Sequence, residues 1–230
     1  MLTFDKAQFK QGGFFINADL IVSEGKVTAI IGPSGAGKST LLHGIAGFVA
    51  QASGHLKWHD VDISQKPPAK RPVSMLFQDN NLFPHLTVLQ NVALALSPKL
   101  RPSAEVCKQV EDMLSKVGLS GFSARKPAAL SGGQQSRVAL ARALLQDRPV
   151  MLMDEPFSAL GPALKNEMLD LSVALAKGRT VIMVTHDPKD ADRIADEVIG
   201  VADGKALAPI ATSKFMANPP KTLKAYFGQP

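Results

Sequence analysis

Gly32-Pro33-Ser34-Gly35-Ala36-Gly37-Lys38-Ser39-Thr40 matches the phosphate-loop pattern G-x-x-x-x-G-K-[ST] at every fixed position. The flanks agree with it. Val27 to Ile31 is a short apolar, β-branched run that predicts a buried strand. Thr40 to Phe48 predicts a helix. Strand, glycine loop and helix in that order point backbone N–H groups and a helix N-terminus at a bound anion. Lys38 then reaches the β- and γ-phosphates, and the Ser39 hydroxyl ligates Mg²⁺. The pattern predicts an α/β fold built around a nucleotide site, and leaves open what the nucleotide's energy is used for.

Two further stretches bear on the same chemistry. Val150-Met151-Leu152-Met153 is followed at once by Asp154 and Glu155. A buried strand thus delivers two carboxylates at its C-terminal end, where α/β sheets bind ligands. The first acid suits Mg²⁺, directly or through water, and the second suits an attacking water. Leu130-Ser131-Gly132-Gly133-Gln134 opens a helix predicted from Gln135 to about Gln146, with Ser131 as N-cap. Two glycines and a serine at a helix start also make an anion site. One γ-phosphate meets both helix starts only if two chains face each other head to tail.

Around these stretches the chain alternates. Strand-like runs occupy Leu2 to Phe4, Phe14 to Val22, Leu56 to Trp58 and Val73 to Phe77. From about Asp79 to Arg148 the apolar spacing is helical, over Leu86 to Leu96 and Ser103 to Val117. Strand–helix alternation resumes at Val150 and runs to the strands flanking Asp203-Gly204, with a short amphipathic stretch over residues 211 to 227. The length, 230 residues, suits one large domain or one domain with an inserted lobe. The single cysteine, Cys107, excludes an internal disulfide and fits a reducing compartment. No stretch approaches the roughly 20 apolar residues that a membrane-spanning helix needs. The net charge of +6 is spread along the chain without a basic block or interleaved aromatics, so nucleic acid is not an expected partner.

The signature Leu130 to Gln134 resembles that of ATP-binding cassette proteins, the motor subunits of ABC transporters. The resemblance covers nearly the whole chain, with the phosphate loop, Gln78, the signature, Asp154-Glu155-Pro156 and His186 in family order. It implies one nucleotide-binding domain over 1–230. Segments 1–80 and 148–230 form a P-loop (RecA-like) ATPase core with an N-terminal antiparallel β portion, and 81–147 forms a helical subdomain. It implies ATP and Mg²⁺ as cofactors, with Ser39, Gln78 and Asp154 around the metal. Gln78 is then the glutamine that links the site to the helical lobe, Glu155 the general base, and His186 the γ-phosphate contact. Ser131, Gly132, Gly133 and Gln134 clamp nucleotide held by a second copy. Phe9 lies where the family places an aromatic that stacks on adenine, with core packing among Phe4, Phe14 and Phe15 as the competing reading. One position departs. Ser158-Ala159-Leu160-Gly161 ends in glycine where the family usually has aspartate at the dimer interface, which implies weakened but not abolished hydrolysis.

Within the family, Lys70 to Val88 looks most like the ATPase subunits of bacterial thiamine importers. Iron(III), polyamine, molybdate and sulfate importers are the competing readings. A soluble cassette protein acting on DNA or ribosomes is the alternative of another class; the modest helical lobe and single cassette speak against it. The resemblance implies a homodimer, peripheral on the cytoplasmic face of the inner membrane. Its partners are integral membrane permease subunits and, indirectly, a solute-binding protein. Asn81 to Leu86 is the candidate groove for the permease.

Overall fold

The computed structural model describes residues 1–227; the last three positions of the predicted core segment, 228–230, lie outside the described residues. In chain order the elements are β1 (Leu2–Gln11), β2 (Phe14–Val22), β3 (Val27–Ile31), α1 (Lys38–Ala46), β4 (Ala50–Trp58), β5 (Val61–Asp62) and β6 (Val73–Leu76). Then follow α2 (Val88–Ala93), α3 (Ala104–Lys116), α4 (Gly132–Leu145), β7 (Val150–Asp154), α5 (Pro162–Leu175), β8 (Thr180–Val184) and α6 (Pro188–Ile194). The chain continues through β9 (Glu197–Ala202), β10 (Lys205–Ala206), β11 (Ile210–Ala211) and α7 (Thr212–Ala217), with a 3₁₀ segment over Lys221–Phe227.

The strands form one sheet in the order β5-β4-β1-β2-β10-β9-β3-β8-β7-β6, with β11 on β9. The stretch β9-β3-β8-β7-β6 is parallel. Every residue of β3, β7, β8 and β9 is buried, which is why these strands read as predominantly apolar runs. Their side chains alternate between two cores. Ile30, Leu152 and Ile182 face α1 and the antiparallel strands. Ala29, Met151 and Met183 face α5, α6 and the helices between β6 and β7. Between β6 and β7, 13 residues of α3 and 14 of α4 are the longest elements, and the connection holds helices and turns alone.

Several elements differ from the sequence expectation; β4, for one, starts at Ala50 rather than Leu56, and β1 and α2 differ for local reasons. β1 extends from Leu2 to Gln11 rather than stopping at Phe4. Its pairing with β2 shifts register between Phe4 and Ala7, where Lys6 adopts a left-handed backbone with φ 47°. Phe4 and Phe9 are five positions apart, so strict alternation places them on opposite faces; the bulge brings both to the core. α2 spans only Val88–Ala93 because Thr87 starts it through a capping box with Gln90.

α1, which carries the phosphate loop's helical half, is locked at its far end by Arg71. That guanidinium is buried and donates to the carbonyls of Gly44, Ile45, Ser64 and Lys66 at 2.7–2.8 Å. Two of these are C-terminal carbonyls of α1, where a cation also meets the negative end of the helix dipole. Burial lowers the Arg71 pKa, and the four acceptors compensate for the lost water.

Candidate active site

β3 ends at Ile31, and the chain turns through Gly32–Gly37 into α1. Gly37 has φ +103°, and a Cβ there meets the Phe14 ring at 2.6 Å. Only glycine satisfies both demands. Lys38 is buried, and its Nζ donates to the loop's own carbonyls, Gly32 at 2.8 Å and Pro33 at 2.9 Å. Burial lowers its pKa; the carboxylates of Glu155 and Asp154 act in the opposite direction.

β7 lies two strands from β3 in the parallel sheet and delivers Asp154 to the same end. Ser39 Oγ donates to Asp154 Oδ1 at 3.0 Å. His43 Nε2 lies 2.9 Å from Asp154 Oδ2, close but not aligned as a hydrogen bond. Sequence reading missed His43. Its signal is the spacing of four from Ser39, which puts both on one face of α1. Among the described residues no three His, Cys, Asp or Glu side chains cluster as a metal cage. A hydroxyl beside one carboxylate is instead the oxygen set that fits Mg²⁺, which keeps waters and takes further ligands from substrate phosphates.

Glu155 follows with a left-handed backbone, φ 42°, and its N–H donates to the Val184 carbonyl at 3.0 Å. Phe157, with φ 64°, is buried two residues on. Such conformations cost on the order of 1–3 kcal/mol each and persist where surrounding contacts over-determine them. The turn aims the Glu155 carboxylate at the phosphate loop, where it lines a cleft of about 410 Å³ with Gln11, Phe14, Ser34, Gly35, Gly37, Lys38, Ser39 and Thr40. His186 stands just beyond β8, with Nδ1 3.3 Å from Glu155 Oε2. Lys38, Ser39, Asp154, Glu155 and His186 are therefore gathered within one chain.

Other expected residues are not. Gln78 is exposed and does not line the cleft. It follows Leu76, which pairs with Met153, so it stands at the same end of the sheet as Asp154. Ser131 and Gln134 cap α4 reciprocally, and none of Ser131, Gly132, Gly133 or Gln134 lines the cleft. Gly133 has a reason within the chain as well: a Cβ there meets Leu164 Cδ2, on α5, at 2.6 Å. Gly161 caps α5 without a side-chain bond, and a Cβ there meets open space.

Phe9 is a correction. It has no exposed surface, packs edge-on against Phe4, and covers Gly44 of α1. A ring sealed into the core offers no face to a base. The partly buried aromatic at the cleft is Phe14, and Thr40 Oγ1, donating to Gln11 Oε1 at 2.9 Å, ties that corner to the phosphate loop. The sequence left this open because packing and stacking aromatics look alike until the bulge in β1 is known.

The sequence model of the ABC transporter family matches residues 15–158. The chain belongs to this family. The ABC cassette hydrolyses ATP. The chain is 53% identical over 230 residues to the thiamine import ATP-binding protein ThiQ of Cereibacter sphaeroides, covering 99% of this chain and 100% of that protein. Among solved structures, the ADP conformation of MJ1267, an ATP-binding cassette of an ABC transporter, superposes with a TM-score of 0.87 at 26% identity, covering 100% of this chain and 99% of the other. A dimeric, post-hydrolysis cassette, MJ0796 bound to ADP and Pi, gives 0.77 at 30% identity, covering 92% and 99%.

The Phe9 correction sets an expectation for nucleotide binding. Phe14→Ala weakens ATP binding by about tenfold, the scale of one lost base–aromatic stack, with little change in Tm. Phe9→Ala lowers stability by about 3–5 kcal/mol and leaves the folded protein's ATP affinity intact. Equilibrium nucleotide titration and thermal unfolding of both variants read this; the reverse pattern restores Phe9 as the adenine platform.

Proposed function

We propose that this chain is the ATP-hydrolysing subunit of a bacterial thiamine importer. It works as a homodimer beneath integral membrane permease subunits on the cytoplasmic face of the inner membrane, with a solute-binding protein delivering thiamine from the other side. The observation that carries the solute is the near-full-length similarity to a thiamine import ATP-binding protein. Among the described residues, no helix is long and apolar enough to cross a membrane, so the path for the solute belongs to other subunits.

In this reading Lys38 and the loop N–H groups hold the phosphates. Ser39, Gln78 and Asp154 hold Mg²⁺, which when bound neutralises charge on the phosphate oxygens. Glu155 Oε orients water and accepts its proton, and His186 contacts the γ-phosphate. Catalysis is chiefly positioning and charge stabilisation. Ser131 and Gly133 of the second copy complete the clamp. Closing the clamp moves the helical lobe, 81–147, relative to the core.

A second cleft, of about 500 Å³, gives that motion a surface to act on. It is lined by Met75, Phe77, Leu82, Phe83 and Arg142, with Phe83 exposed. Arg142 of α4 donates to the carbonyls of Asn80 and Asn81 at 2.7 and 2.8 Å, and both asparagines have positive φ. The helix that begins with the signature is thereby fastened to the segment that follows Gln78. We assign this cleft to the permease.

Reconstitution with the co-encoded permease and binding protein tests the solute. Thiamine raises the ATPase rate; another importer substrate doing so while thiamine fails overturns the assignment and leaves the motor reading standing. Gly161→Asp tests the interface departure. The open space accepts the side chain, a better N-cap raises Tm by about 1 °C, and the ATPase rate rises. An unchanged rate removes Gly161 as a brake on hydrolysis.

A further inference from the structure

The polypeptide after β9 returns to the catalytic end of the parallel sheet. Phe215 of α7 and Leu223 are buried against it, and the Phe227 ring meets Phe215 edge-on at 5.9 Å. These anchors place Tyr226 beside the end of β8, where its hydroxyl donates to the His186 carbonyl oxygen at 2.5 Å.

The neighbours of His186 are already fixed. Thr185 Oγ1 donates to the buried carboxylate of Asp190, and the Thr185 N–H donates to the Ile30 carbonyl at 3.3 Å. Asp187 caps α6, and Lys165 of α5 lies 2.7 Å from Asp190 and 3.7 Å from Asp187. His186 itself is exposed, and among the described residues its ring is held by the 3.3 Å approach to Glu155 alone. The peptide carrying that ring has one side-chain donor among the described residues, the Tyr226 hydroxyl. Burial, then the nearby Asp187 and Glu155 carboxylates, push the phenol pKa up, so the hydroxyl stays protonated and remains a donor at neutral pH.

We propose that Tyr226 is a positioning residue for ATP hydrolysis, whose hydroxyl fixes the His186 peptide and thereby sets the imidazole between Glu155 and the γ-phosphate. The proposal rests on the reading of His186 as the γ-phosphate contact. It makes the segment after β9 a working part of the active site.

Three variants of the full chain, each assembled with its permease, test it: Tyr226→Phe, His186→Ala and the double variant. Tyr226→Phe keeps the ring packing and removes one hydrogen bond. It lowers kcat about fivefold, leaves KM for ATP and Tm unchanged, and has no further effect in the His186→Ala background. A wild-type kcat for Tyr226→Phe beside an inactive His186→Ala overturns the proposal alone. So does a Tyr226→Phe loss that comes with a lower Tm or that adds to His186→Ala. A fully active His186→Ala removes the reading of His186, and the proposal with it.

Discussion

Lys38 is a buried cation whose ammonium is held by two carbonyls of its own loop. Much of the molecule is arranged around that unfinished solvation. With its pKa lowered by burial, the folded chain binds the Lys38 proton less readily than the unfolded chain does. The charge therefore costs stability at neutral pH, and that cost fades only as pH rises through the lowered pKa. A polyphosphate offsets it, and binding and stability are coupled at this one nitrogen. Asp154 and Glu155 lie close enough to favour the charged lysine. They stand there because β7 ends in the same plane as β3.

The parallel sheet can deliver Lys38, Asp154, Glu155 and His186 to one end because each sits at, or within a short loop of, the C-terminal end of a buried strand. It cannot deliver Ser131 and Gly133, which begin α4 in the inserted helical segment. None of the residues at that helix start lines the cleft, and Ser131 and Gln134 are occupied in a reciprocal cap. A cleft that holds Lys38 and Glu155, with a second glycine-bearing helix start outside it, is what the proposed two-chain site calls for. A similar cassette, MJ0796, is dimeric in its post-hydrolysis state with ADP and Pi bound. Gly161, at the start of α5, adds a helix cap with no side chain where this family usually presents a carboxylate.

Much of this was legible in the sequence, for a physical reason. Strands buried on both faces are mostly apolar runs, and the candidate site residues lie at or a short loop beyond their ends, so Val27–Ile31 with Lys38 and Val150–Met153 with Asp154-Glu155 announced themselves. Ser131-Gly132-Gly133-Gln134 was legible because caps and glycines have local causes. Phe9 was not, because its face depends on a bulge at Lys6 that leaves no composition signal. His43 and Tyr226 were hidden for another reason: each acts through a contact between elements far apart in the chain, Asp154 for one and the His186 carbonyl for the other. The transported solute could not be read from the nucleotide cleft, whose residues face phosphate chemistry rather than the solute.

In the proposed dimer one chain holds half a site, and ATP brings the two halves together. Glu155→Gln keeps the shape of the base and removes its charge, so bound ATP persists. Sedimentation of this variant with and without Mg-ATP tests the claim most directly. The expected result is a monomer without nucleotide and a dimer holding two ATP molecules with it, lost again when Ser131→Arg is added. A Glu155→Gln chain that binds ATP fully yet stays monomeric, or that hydrolyses ATP at the normal rate, contradicts it.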